Sequence, residues 1–205
     1  MKGKLLVLFL IISTISYGQK DISGMVNCFK QGSKDNCEAI ALIKASIAVF
    51  GTNKVFEEKR LTGPSIAILL KNGAKDTLTL EELAEAERSA DFKLKDCKDK
   101  ATLDYAVKCY AVMAKEKQKQ SGWASYDQGL KYLENDAEVA RIYLLLGLEK
   151  HVKPFDNYAY VENLCGIVAW NRKHAVYACN GVMDLHGKEK SMSVLYYGRF
   201  QVIDE

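Results

Sequence analysis

The chain has 205 residues, 48% of them apolar, six cysteines and a formal net charge of +3. That is enough apolar material for one compact domain or two lobes sharing a core. So even a charge balance gives no argument for nucleic acid or an anionic membrane as partner.

Residues Met1 to Gly18 read as an export signal. Lys2 and Lys4 form a basic start, Leu5 to Ile12 an apolar core, and Ser16-Tyr17-Gly18 a small-residue cleavage site. The apolar run is too short to span a bilayer, and no later run is longer, so a secreted or periplasmic protein of residues 19–205 is expected. Residues 19–30 read as a short polar lead-in.

Gln31-Gly32-Ser33-Lys34-Asp35-Asn36-Cys37 follows, and with it an apolar run at helical spacing, Ile40, Ile43, Ile47 and Ala48. Asp35 or Asn36 is placed to cap that helix, which Gly51 ends after Phe50. Cys37 then lies in the first turn, where free backbone N–H groups and the helix dipole favour a thiolate. The Gly32-Ser33 pair lets the chain double back, bringing the Gln31 amide toward the Cys37 N–H as two donors for an oxyanion.

Pro64 breaks any continuation. Ile66–Leu70 and Asp76–Leu80 flank Lys71-Asn72-Gly73, and an Asn-Gly pair between β-prone runs predicts a hairpin. Thr79 and Glu82 form a capping box for a helix to about Ser89. A second helix spans roughly 102–118, with Leu103, Ala106, Val107, Tyr110, Ala111 and Ala114 facing the core and Lys115, Lys117 and Lys119 on a solvated face. Leu103 through Ala114, followed by Gly122-Trp123 and Tyr126 to Leu133, resembles in order the helix and Gly/aromatic turn between the cysteine and histidine of calpain-type cores. Asn135-Asp136 caps a further helix to about Leu146, and His151 falls in an exposed loop. From Tyr158 on, β-branched and aromatic residues dominate, in 158–161, 166–170, 174–179 and 193–203. The layout is α+β.

The Q-G-S-x-x-x-C segment opening a helix resembles the active-site segment of papain-like cysteine peptidases, most closely the calpain-type catalytic core. His174-Ala175-Val176 at a strand start resembles the histidine segment of the same families. The resemblance implies a papain-like fold, with a helical lobe (about 28–150) carrying the cysteine helix packed on an antiparallel β lobe (about 155–205) carrying the histidine. It also implies a peptidase in which Cys37 is the nucleophile, Gln31 the oxyanion donor and His174 the general base and then acid. Those families usually carry an aromatic residue after the cysteine, where this chain has Glu38. They also carry an Asn beside the histidine, with a following Trp that shields it.

If 174–185 and 191–203 form one hairpin around 186–190, Asp204 lands across from His174 and orients it. Asn180 and Asp184, on the histidine's own strand, would need a sharp bend to reach it. His186 is expected to be solvent-exposed in the turn.

With Cys37 free, the favoured disulfides are Cys97–Cys109 and Cys165–Cys179, leaving Cys28 unpaired; a Cys28–Cys37 bridge is the alternative that would remove the nucleophile. The cysteines lack C-x-x-C spacing, no histidines stand at i, i+4, and no EF-hand loop occurs, so no metal or cofactor is expected. The resemblance implies a peptide or protein substrate as partner. Two rival readings are an inactive papain-like binding module and a Cys/His amidase or transpeptidase acting on cell-wall peptides.

Overall fold

A computed structural model describes residues 24–61, 63–95, 100–135, 137–155 and 163–204. The export signal, Cys97 and the strand expected over 158–161 lie outside them.

The molecule is built round the helix α2, Cys37–Phe50, preceded by α1 (Gly24–Cys28) and β1 (Phe29–Lys30). Twelve of its fourteen residues are buried. A helix that is apolar on nearly every side belongs in the middle of a fold, and this one is covered by helices on one side and a sheet on the other. The described part of the lead-in is not polar as expected, for Val26, Cys28 and Phe29 are core residues.

After α2 come β2 (Glu57–Arg60), β3 (Ser65–Leu69) and β4 (Lys75–Thr79), a three-stranded antiparallel sheet. The β3–β4 turn is at Asn72-Gly73, as the sequence predicts. The capping box also holds: Thr79 and Glu82 exchange both hydrogen bonds at the start of α3 (Leu80–Ala90). β5 (Lys93–Leu94) pairs with β1.

The long helix α4 (Lys100–Ser121) carries Tyr105, Cys109, Tyr110 and Met113 into the core. Lys115 and Lys119 are not simply solvated. Lys115 pairs with Glu82 at 2.6 Å, while Lys119 reaches both Glu116 and Asp76.

Beyond Gly122-Trp123, where the resemblance implies a Gly/aromatic turn, the chain forms a helix, α5 (Tyr126–Asn135). It crosses α4 so closely that a Cβ on Gly129 would stand 2.2 Å from the Ala114 carbonyl oxygen. The Tyr126 hydroxyl donates to the Ala111 carbonyl beside that crossing. Residues Val139–Leu146, expected as an α-helix, form a 3-10 helix closed by Gly147 in the left-handed region.

The last third is a six-stranded antiparallel sheet. Its strands are β6 (Val152–Pro154), β7 (Ile167–Trp170), β8 (Ala175–Cys179), β9 (Val182–Leu185), β10 (Lys188–Ser191) and β11 (Gly198–Val202), in the order β10-β9-β8-β7-β11-β6. All of β8 is buried. Ala175, Tyr177 and Cys179 face the core that holds α2, and Val176 and Ala178 join Ile167, Ala169 and Met183 in a second cluster on the other face.

Here the single hairpin expected over 174–203 is overturned. The chain reverses twice: at Asn180-Gly181 between β8 and β9, and at His186-Gly187 between β9 and β10, with all four residues at positive φ. Two-residue turns of this kind match the twist of the strands they join. β11 pairs with β7 and β6, not with β8.

The disulfide Cys165–Cys179 forms as expected. The other pairing does not, since Cys109 is a free, buried thiol. Cys28 is disulfide-bonded rather than unpaired. Cys37 is free, so the bridge that would have removed it is absent.

Candidate functional site

The loop 31–36 is seated on the C-terminal end of α3. Asp91, left-handed at φ 48°, accepts from the Ser33 backbone N–H at 2.7 Å and from its hydroxyl at 2.9 Å. Any Cβ at position 32 would collide with Asp91, which is why glycine precedes that serine. Hydrogen bonds from Lys93 and then from Ser33 hold the Asp91 carboxyl down to about 2.

Asn36 is fully buried at the helix N-cap, yet its side chain does not cap α2; its amide donates to the Ala90 carbonyl at 2.9 Å. The Gln31 amide donates to the Lys34 carbonyl within the same loop. One N–H of the Gln31 amide is thereby committed; an amide carries a second.

His174 is fixed from the opposite side. Asn171 accepts from the backbone N–H groups of Lys173 and His174 at 2.8 and 3.0 Å, and donates its own N–H back to the His174 carbonyl. This tight turn delivers His174 to the start of β8. Because β8 packs along α2, the Ala175 N–H reaches the Cys37 sulfur at 3.4 Å. Gln31, Cys37 and His174 line one small cleft between the N-terminal end of α2 and the sheet.

Asp204 is not part of it. Gly198 is the β11 residue level with Trp170, at the His174 end of the sheet, and the Ile203 N–H bonds the His151 carbonyl. Asp204 is exposed six residues beyond Gly198, about 20 Å along the strand at ~3.3 Å per residue. The carboxylate that does line the cleft is Asp184, with His186 beside it. The turn at Asn180-Gly181 supplies the sharp bend Asp184 needed. His186 is exposed, as expected, but it also stacks on His174 with ring centroids 4.4 Å apart.

Asp184 is held by a group the sequence reading passed over. Lys44 is completely buried in α2, and its ammonium meets the Asp184 carboxylate at 2.5 Å, the Val26 carbonyl at 3.1 Å and the face of Phe29 at 4.8 Å. The second Asp184 oxygen accepts the Gly187 N–H at 2.7 Å. The available signal was Lys44 itself, a charge inside an otherwise apolar helical run.

Electrostatics set the resting state. Burial first and Glu38 second push the Cys37 thiol up to about 12, against the smaller lowering effect of the Ala175 N–H. Burial, and then His186, keep the His174 imidazole below its usual range, with Asp184 and Asp35 pulling the other way. The cleft therefore holds a neutral thiol and a neutral imidazole at pH 7, rather than a thiolate–imidazolium pair. Such a pair performs nucleophilic chemistry when the base takes the proton as the sulfur attacks.

Residues 192–197 form a loop between β10 and β11. Tyr196 is buried, and its phenol is pushed up by burial and then by Cys37. Arg199 donates to the Tyr196 carbonyl at 2.8 Å, so the loop is clamped while Val194 and Leu195 stay 71% exposed.

No family model, no curated protein and no solved structure matches the chain. Among the described residues, no helix is long and apolar enough to cross a membrane.

Proposed function

We propose that the chain is a cysteine peptidase of the papain-like kind, nearest in its motifs to the calpain-type catalytic core. The observation that carries the reading is the hydrogen bond from Ala175 to the free Cys37 sulfur, which brings the histidine strand and the cysteine helix to one cleft.

In this reading the Cys37 sulfur attacks the substrate carbonyl carbon while His174 removes its proton. The Cys37 N–H and the Gln31 amide stabilise the oxyanion. As the C–N bond breaks, His174 returns the proton to the leaving amine, and water then releases the acyl group from sulfur with His174 again as base. Asp184, rather than Asp204, is the carboxylate whose charge acts on the imidazole, and His186 stacks against it. They take the places in which the resemblance asks for Asn and Trp.

The test is peptide hydrolysis followed by mass spectrometry of the products. New termini are expected with the native protein and are lost in both Cys37→Ala and His174→Ala; turnover that survives Cys37→Ala contradicts the reading. A second reading, an inactive binding module on the same fold, draws its support from the high thiol pKa and from Glu38 beside it. It predicts peptide binding with no turnover at any pH.

A further inference from the structure

A second cleft, of about 570 Å³, opens near the C-terminal end of α2. Cys37 lies at the other end of that helix, about 20 Å away for fourteen residues at 1.5 Å each. Gly51 and Asn53, at φ 96° and 64°, turn the chain out of α2 and bring Lys54 and Phe56 to one wall. The β3–β4 turn brings Leu69, Leu70 and Lys71 to another, and His151 adds to the lining. His151 is thus half-buried rather than in the exposed loop the sequence suggests.

Some lysines elsewhere on the molecule, among them Lys34, Lys93, Lys108 and Lys115, meet carboxylates. Among the described residues, Lys54 and Lys71 meet none. The Lys71 ammonium instead stands 4.2 Å over the Phe50 ring, whose edge-on neighbour is His151. The His151 Nδ1 atom is buried with no hydrogen-bond partner among the described residues. Glu57 is the one carboxylate in the lining, set against two ammonium groups. Two lysines and apolar side chains line a volume within the range of ligand pockets, a combination that suits an anion with a hydrophobic body.

We propose that this cleft binds an organic carboxylate with an apolar body, such as a free aryl-alkyl acid or the C-terminal carboxylate of a peptide ending in a large apolar residue. The proposal is independent of the Cys37 chemistry. The carboxylate lies between Lys54 and Lys71, and the apolar body rests on Phe56, Leu69 and Leu70.

The test is isothermal titration of the intact protein with N-acetylphenylalanine and with its amide, then with a hexapeptide ending in phenylalanine as free acid and as amide. The acid is expected to bind at least about tenfold more tightly than the amide, a difference of about 1.4 kcal/mol. That preference is lost in Lys54→Met/Lys71→Met, whose exposed positions leave the fold intact, and it is retained in Cys37→Ala. A hexapeptide acid that binds as well as the small acid identifies a peptide end as the ligand; binding of the small acid alone identifies a free carboxylate. Equal binding of acid and amide, absence of binding, or a preference that survives the double lysine substitution overturns the proposal.

Discussion

Burial and Glu38 act in the same direction on Cys37, and the helix N-terminus alone does not outweigh them. Glu38 follows Cys37 directly; its own carboxyl is raised by burial, while the Cys37 thiol, donating to it, favours the carboxylate, so the pair keeps the proton on sulfur. Glu38→Gln removes the negative charge and lowers the thiol pKa. Alkylation of Cys37 by iodoacetamide at pH 8 is therefore expected to run several-fold faster in Glu38→Gln, with the apparent pKa of the rate profile shifted downward. An unchanged profile would mean that Glu38 does not govern the thiol. At this scale the sequence was informative about Gln31, Cys37 and His174, because a residue type and its place at an element's start are both visible in one dimension. Lys44 was hidden for the converse reason. A lysine in a helix is ordinarily read as surface, and only the strand packed against it reveals a counter-charge.

Between elements, the Lys44–Asp184 pair joins α2 to β9 beneath the cleft. Both side chains are almost wholly buried, at 0% and 5% exposure, so removing one partner strands the other. Asp184→Asn is expected to cost about 3–5 kcal/mol in urea unfolding, and Lys44→Met/Asp184→Asn to recover most of that loss. A double variant no more stable than Asp184→Asn would show that the pair is not the source of the effect. The helix α2, the Asn72-Gly73 hairpin and the capping box of α3 were legible because each is specified by residues within a few positions. The hairpin expected to bring Asp204 to His174 failed on the same local rule, applied to one Asn-Gly pair and overlooked at Asn180-Gly181. The pairing of β11 with β7 carries no local signal at all, since it is decided by which strand edges remain open once β8–β9–β10 has formed.

Across the whole molecule, helices and antiparallel sheet share one core around α2, an α+β arrangement that the change in composition near Tyr158 announces. What composition does not announce is the half-buried seam between α4 and the β3–β4 sheet, where Glu116, Asp76 and Lys119 meet. Burial, followed by the neighbouring Asp76, pushes the Glu116 carboxyl from its ordinary 4.5 up to about 7. The folded state thus holds a proton that the unfolded chain releases, and stability from this group is fully present below about 4.5 and falls as pH rises through about 7. Glu116→Gln is expected to flatten the thermal-stability profile over that window, and a profile as steep as the native one would contradict the assignment. The account as a whole rests on Cys37 and His174 acting together. The most direct test is mass-spectrometric mapping of the protein after brief exposure to a peptidyl fluoromethyl ketone. The account predicts a single adduct on Cys37 that is absent in His174→Ala although Cys37 in that variant still reacts slowly with iodoacetamide. Labelling of Cys37 at an equal rate with and without His174, or no labelling of the native protein, would contradict it.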